Sequence, residues 1–335
     1  MKTEILSTHT PELFQKAVRR AAELLRAGQL VALPTETVYG LAANALDEKA
    51  VAEIFQVKGR PSHNPIIVHV ASGDLARSCV ARWPDVAAKL ARAFWPGPLT
   101  FVLPRAPQIP AIVTAGGDTV GIRWPAHPFI QAVIRECGFP LAAPSANLSN
   151  SISPTNAAHV CAQLGGRIPL IVDGGQSQVG IESTVLDLTV SPARILRPGM
   201  IHAESFAAAG APVADGQSPL AGRSLKSPGM LKKHYAPKAK LLVLDWRDDA
   251  DLRAQIGAWQ PVAGKVCIVA HTRIPSGFPA ANVSVIPHDA EAFARALYGE
   301  LHRCDAAGAG LIVVEAPPES SEWSGIADRL RRAAA

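Results

Sequence analysis

Apolar and polar positions alternate along this chain in two rhythms, and the changes of rhythm mark its elements. Leu13, Ala17, Ala21, Leu24 and Leu25 recur at helical spacing behind Thr10-Pro11, an N-cap followed by proline at the first helical position, and Gly28 supplies the stop. Asp47 is placed to cap a second helix that turns Val51, Ile54 and Phe55 inward. Short apolar runs of strand character lie at 29–33, 65–70, 99–103, 120–124, 140–143, 168–172, 183–188 and 193–196. Helices are expected at 127–137 and after Pro154. Several strands follow one another without an intervening helix. The pattern therefore predicts an α/β fold of the mixed, α+β kind and not a regular βαβ repeat.

From Gly199 to about Pro237 the rhythm is lost, and Gly, Ala, Pro and Ser dominate, as in AAAGAPVADGQSPLAG. This stretch reads as a linker. It ends in SPGMLKKHYAP, residues 227–237, whose histidine, tyrosine and paired lysines exceed what a spacer needs. Alternation then returns, with strands expected at 241–244, 265–270, 283–286 and 311–314 and helices at 249–257, 290–307 and from 326 onward. The expected division is a first domain over 1–200, a linker over 201–238 and a small Rossmann-like α/β domain over 239–335. No G-x-G-x-x-G follows the first strand of that last domain, so a dinucleotide site there is unsupported.

The 335 residues are 48% hydrophobic and 18% charged, which excludes extended disorder and fits two buried cores. With aromatics at 5%, those cores must be built mainly from Ala, Val, Ile and Leu. A net charge of +5 suits a protein that handles phosphates, carboxylates or RNA, but no block of consecutive basic residues singles out one of them. Cys79, Cys137, Cys161, Cys267 and Cys304 form no C-x-x-C pair, which argues against structural zinc and a secreted disulfide framework. No apolar run reaches signal-peptide or membrane-spanning length. The expectation is a soluble cytoplasmic protein without a membrane partner.

The chain has no G-x-x-x-x-G-K-[ST], no H-E-x-x-H, no G-x-S-x-G and no kinase signature set, so nucleotide chemistry would need a less common cradle. Four other segments carry candidate chemistry. In PTETVYGL, residues 34–41, an extended backbone would project Thr35, Thr37 and Tyr39 to one side, where three hydroxyls could grip a small polar ligand or simply face water. In KGRPSHNP, residues 58–65, Lys58 and Arg60 stand two apart, as a phosphate or carboxylate clamp or as a solvated basic loop. PSANLSNSISP, residues 144–154, lies between a strand and a helix, where backbone N–H groups can receive an anion and where Ser and Asn also serve as ordinary caps. GIRWP, ESTV and LRPG place Arg123, Ser183 and Arg197 at the ends of β-runs, where open sheets bind ligands.

In this order, PTETVYGLAANA, KGRPSHNPIIVHV, FWPGPLTFVL, GIRWP, PSANLSNSISPT, IESTVLDL and ILRPG resemble the YrdC-like family in its long, two-domain threonylcarbamoyl-AMP synthase form. SPGMLKKHYAPK resembles the linker signature of those members, and the likeness covers essentially the whole chain. It implies a twisted mixed sheet with flanking helices, a reaction of ATP, L-threonine and bicarbonate or carbon dioxide, and Mg2+ brought with the ATP and held by no protein metal site. It further implies a tRNA-modifying threonylcarbamoyl-transferase machinery as downstream partner, and it leaves room for weak RNA binding. Lys58 and Arg60 would be catalytic. Thr37, His69, Arg123 and Ser183 would form the threonine pocket, with Arg123 on the carboxylate. Arg60, Asn64, Thr119, Ser145, Asn147, Ser153, Arg197 and Tyr235 would surround the nucleotide, with Tyr235 closing over it. Ala143 stands where members of the family can carry a hydroxyl. Two other readings are a double-stranded-RNA-binding module, which would need a larger basic cluster, and a YrdC-like carbamoyl transferase, which would carry C-x-x-C pairs.

Overall fold

The computed structural model describes residues 2–214, 234–259 and 264–335. Contacts divide the chain into one unit of Met1–Ser149 with Ser153–Met230 and a second of Asn150–Ile152 with Leu231–Ala335.

The first unit begins with β1 (Glu4–Ser7), α1 (Pro11–Arg26), β2 (Val31–Leu33), β3 (Gly40–Asn44), α2 (Glu48–Lys58) and β4 (Ile67–His69). It continues with α3 (Gly73–Ser78), α4 (Asp85–Phe94), β5 (Leu99–Pro104), β6 (Thr119–Arg123), α5 (Pro128–Cys137), β7 (Leu141–Ala142) and α6 (Ala157–Leu164). It ends with β8 (Leu170–Asp173), β9 (Thr184–Asp187), β10 (Ala193–Arg197), α7 (Ala203–Ala208) and β11 (Val213–Ala214). The caps behave as their chemistry requires: the Thr10 and Asp47 side chains accept the first free N–H groups of α1 and α2.

The eleven strands form one mixed sheet in the order β1-β8-β2-β3-β7-β4-β6-β5-β9-β10-β11. Strand alternation gives this sheet two unlike faces. On one face Ala32, Leu41, Ala43, Val68, Ile122, Phe101 and Leu186 join a continuous apolar core. On the other, Val31, Leu33, Ala42, Leu141 and Leu170 are covered by α1 and α5 through Ala21, Leu25, Phe129 and Val133. That cover lies over the β1-to-β7 half. Farther along the same face the paired positions are His69, Arg123 and Thr100, in register across β4, β6 and β5. A polar strip so placed is where the fold leaves room for a ligand.

The stretch read as a linker from residue 201 is structured at its start. Phe206 is buried in α7, and β11 pairs in parallel with Ala193 and Arg194. Three alanines in a row favour helix more than they favour a flexible spacer, and one buried ring is enough to fasten the turn. Residues 227–233 of the SPGMLKKHYAPK signature lie outside the described residues.

In the second unit β12 (Lys240–Leu244), α8 (Asp249–Gly257), β13 (Lys265–Ala270), β14 (Val283–Val285), α9 (Ala290–Ala306), β15 (Ala309–Glu315) and α10 (Ser324–Ala333) follow in order. The sheet β12-β15-β13-β14 is parallel throughout. Leu242, Trp246, Leu252, Ile256, Ile268 and Val313 form its core. Among the described residues no helix is long and apolar enough to cross a membrane.

Candidate functional site

Arg123, the last residue of β6, anchors the polar strip. Its Nη1 donates to Thr37 Oγ1 at 2.8 Å and its Nε to the Gly97 carbonyl at 3.3 Å. Nη2 lies 2.7 Å from Glu36 Oε1 in an ion pair whose side chains are 5% and 10% exposed. Beside Arg123, Thr100 Oγ1 meets Ser183 Oγ at 2.8 Å. Arg197 donates from Nε and Nη2 to the Ser183 carbonyl at 3.1 and 3.0 Å, and from Nη2 to Ser183 Oγ at 3.2 Å. A register shift between Ile195 and Arg197 re-aims the end of β10, as bulges beside sites do. Thr37, Arg123, Ser183 and Arg197 are thus gathered into one strip, with Thr100 as a link that the sequence reading did not name.

His69 pairs through its backbone with Arg123 on one side and Leu141 on the other. Burial first, and the Arg123 charge second, push its imidazole down to about 3, so the ring is neutral at working pH. Its Nδ1 is buried without a hydrogen-bond partner among the described residues.

The expected extended arrangement of Thr35, Thr37 and Tyr39 is overturned. Thr35 Oγ1 accepts the backbone N–H groups of Thr37 and Val38 and donates to the Val38 carbonyl at 2.6 Å, so residues 35–38 form a side-chain-closed turn. The Tyr39 hydroxyl donates to Gly175 O at 2.7 Å and accepts from Gly174 N. Thr37 Oγ1 reaches Arg123, with Thr35 Oγ1 3.0 Å behind it, and the turn brings Glu36 along. A carboxylate between two threonines was the visible signal; attention to period 2 passed over it.

Lys58 and Arg60 are buried, not solvated, at 2% and 8% exposure. Gly59 between them ends α2 at φ 59°, a left-handed cap that glycine adopts without strain. Lys58 Nζ donates to the Ser145 carbonyl at 2.6 Å and to the Asn147 carbonyl and Oδ1, while Ser145 Oγ donates to Asn147 Oδ1 at 2.6 Å. Burial, then the nearby Arg60 charge, holds the Lys58 ammonium well below its usual range. Arg60 donates to the carbonyls of Asn64 and Pro65. Both amide atoms of the Asn64 side chain are buried without a partner among the described residues.

The two clusters are joined by backbone. Gly40 bridges to Ser145, Ala146 N donates to Tyr39 O, and Ser149 N donates to Lys58 O. Ser153 Oγ donates to Glu182 Oε1 at 2.6 Å, which ties the end of the Ser/Asn-rich loop to the residue before Ser183. Ala143, on β7's edge, is buried. Thr119 stands apart: it begins β6, four residues and roughly 13 Å of strand rise from Arg123, although on the same face. Tyr235 belongs to the second unit, where its ring lies 5.9 Å from Tyr298, 4.0 Å from His234 and under the Arg329 guanidinium.

Buried polar atoms are normally satisfied, because an unpaired one costs about 1–3 kcal/mol. Among the described residues Glu36 and His69, both beside Arg123, present buried atoms without a hydrogen-bond partner, as does Asn64 beside Arg60. The arrangement offers a carboxylate, a guanidinium, hydroxyls and a neutral imidazole to a zwitterion, and several cations to phosphate. Among the described residues it contains no side chain set up as a nucleophile with an adjacent base.

Two family models match the chain: one described as telomere recombination, for Sua5, YciO and YrdC, over residues 23–199, and one described as threonylcarbamoyl-AMP synthase, C-terminal domain, over residues 197–335. The threonylcarbamoyl-AMP synthase of Bacillus subtilis is 40% identical, with 99% of this chain and 95% of the relative covered. That of Pyrococcus abyssi is 39% identical, with 94% and 93% covered. The crystal structure of P. abyssi Sua5 complexed with L-threonine, 38% identical, superimposes with a TM-score of 0.88 over 100% of this chain and 98% of that one. With both halves of the chain matched in sequence and the whole of it in structure, the protein belongs to the threonylcarbamoyl-AMP synthase family, in its long two-domain form.

Proposed function

We propose that the first unit joins L-threonine, a one-carbon unit from bicarbonate or carbon dioxide, and ATP into threonylcarbamoyl-AMP, releasing pyrophosphate. The observation that carries this reading is Arg123, buried at a strand end between Thr37 and Glu36 with Ser183 alongside. An amino-acid carboxylate fits such a guanidinium, and the neutral ring of His69 adds no competing charge. The amine captures the one-carbon unit as a carbamate. A carbamate oxygen then attacks the α-phosphorus, the bond to the bridging oxygen breaks, and pyrophosphate leaves. This nucleotidyl transfer asks the protein for alignment and for positive charge where phosphate charge develops, and for no covalent nucleophile.

Arg60 and Arg197 supply that charge in this reading. Lys58 commits its three donors to Ser145 and Asn147. Its contribution is therefore the fixed direction of the loop, more than a hydrogen bond of its own to the ligand. Asn64, Ser145, Asn147 and Ser153 line the nucleotide side, and the roles of Thr119 and Tyr235 toward ATP belong to the same proposal. The described residues hold no group of three or more His, Cys, Asp or Glu fit to keep a metal. Mg2+ would be brought by the ATP and would help to neutralise its phosphate charge. The product would pass to an enzyme that modifies tRNA.

The test is incubation of the pure protein with ATP, L-threonine, bicarbonate and Mg2+. Threonine-dependent pyrophosphate release with an adenylate product by mass is expected; pyrophosphate release indifferent to threonine would overturn the reading.

A further inference from the structure

Glu36 is the charged side chain of the site to which the reaction outlined above assigns nothing. It is 7% exposed, and it touches Arg123 at ion-pair distance, yet neither carboxylate oxygen accepts a hydrogen bond from any described residue. A carboxylate that only balanced an arginine would be expected to take an aligned, two-pronged bond from it. Here Arg123 donates from Nη1 to Thr37 Oγ1 and from Nε to Gly97 O, while Nη2, 2.7 Å from Glu36 Oε1, makes no hydrogen bond to it.

The aim of Glu36 is preset by the backbone. Thr35 Oγ1 closes the turn around it, Ser177 Oγ donates to Thr35 O at 2.9 Å, and Val179 N donates to Glu36 O at 2.7 Å. A side chain carried on a backbone held from both sides, with no donor to it among the described residues, is preorganised for donors that a ligand brings. His127 also senses the Glu36 charge: burial lowers its imidazole while Glu36 raises it, and its Nδ1 accepts from Phe129 N, not from the side of Glu36.

We propose that Glu36 is the ammonium-binding residue of the amino-acid site and the first acceptor of the ammonium proton. This rests on the functional reading above. An α-amino acid carries its carboxylate and its ammonium one carbon apart, and Arg123 beside Glu36 presents the two complementary charges at the same short separation. The chemistry requires the second role as well, because an ammonium has no lone pair with which to attack carbon. Of its three N–H protons, one passes to Glu36 before the nitrogen lone pair forms the C–N bond to bicarbonate. One is released to solvent, and one stays on the carbamate nitrogen. The C–OH bond of bicarbonate breaks, and the departing hydroxide takes the Glu36 proton and leaves as water. Threonine in its ammonium form and bicarbonate thus give the carbamate, one water and one proton.

The test compares two ligands on the full-length protein: L-threonine, and 3-hydroxybutyrate, which keeps the carboxylate and hydroxyl but lacks the ammonium. Glu36→Gln should weaken threonine binding by about 10- to 100-fold, the size of a lost charge-assisted hydrogen bond, and change 3-hydroxybutyrate binding less than about threefold. At saturating threonine the same variant should release pyrophosphate at least about tenfold more slowly. Equal weakening of both ligands would mean that Glu36 only holds Arg123, and the proposal would fail. Unchanged threonine affinity would sink its binding half, and an unchanged kcat its proton-accepting half. If Glu36→Gln does not fold, Glu36→Asp, which draws the charge back by one methylene, carries the same comparison. Wild-type protein that binds no threonine would instead overturn the functional reading itself.

Discussion

Each unit of this protein brings a carboxylate to a strand region lined with donors, and the two carboxylates are treated in opposite ways. In the second unit Glu315, at the end of β15, accepts the backbone N–H groups of His271, Thr272 and Arg273 and the Thr272 hydroxyl. The loop after β13 is a nest of donors of the kind that binds anions, and the protein's own side chain fills it. In the first unit Glu36 has a cation beside it and no hydrogen-bond donor among the described residues. A polar group that folding alone had to stabilise would look like Glu315. One kept ready for a ligand looks like Glu36. In the parallel sheet of the second unit the donors at the end of β13 are therefore already committed to the protein's own carboxylate.

This contrast can be broken at either end. The largest expected effect is at Arg123. Arg123→Ala would leave Glu36 buried and unpaired, so stability should fall by about 3–5 kcal/mol in chemical denaturation, and threonine-dependent turnover should be lost. The double change Arg123→Met with Glu36→Gln should recover most of that stability and none of the turnover. If the single variant is as stable as wild type, the pair is not a desolvated one. Next, Arg60→Ala should slow turnover by about a hundredfold, whereas Ala at the exposed Lys16 should leave it within error. Near-normal turnover without Arg60 would remove it from the phosphate side.

Glu315→Gln should cost about 1–3 kcal/mol in unfolding of the second unit and leave threonine affinity untouched. Burial alone would raise the Glu315 carboxyl, but the Thr272 hydroxyl and the three N–H groups outweigh it and hold it below the usual carboxylate range. Its contribution is therefore present above the unfolded carboxylate pKa and disappears as pH falls through the folded value, so the variant should lose stability less steeply in acid than wild type. A threonine affinity that fell with it would show that the two carboxylates are not independent. The effect that is smallest at neutral pH is at His69, and it grows only in acid. Its ring, folded at about 3, should weaken the fold as pH drops below the unfolded value near 6.5, at about 1.4 kcal/mol per pH unit. His69→Gln should flatten the denaturation midpoint between pH 6.5 and 4 by that amount; an unchanged slope would mean that the ring is not buried in solution.

Much of the secondary structure was legible because its causes are local. Thr10-Pro11 and Asp47 cap the helices that their sequence signatures predict, and the helix expected at 249–257 forms over those residues. Two further differences, beside the structured start of the linker, show what local pattern leaves out. β3 was missed because GLAAN is nearly all small residues, whose burial comes from strands β2 and β7 on either side and not from a period of its own. The reading of residues 34–39 failed because a single hydroxyl, Thr35 Oγ1, could close a turn in place of an extended strand, and periodicity does not register that choice.

The sequence by itself determined the family likeness, the residue types of the site, and the need for many donors and few nucleophiles, since those depend on identity and order along the chain. Only the tertiary structure decided which of those residues meet. Arg123 touches Glu36 across 86 intervening residues and Arg197 touches Ser183 across 13, contacts set by strand order and register in the sheet. It also decided that Lys58 is a buried fastener of the Ser145 loop and that Glu36, not Thr35 or Tyr39, faces the strip. The physical reason is that burial and hydrogen-bond satisfaction are properties of surroundings, and here those surroundings come from distant strands.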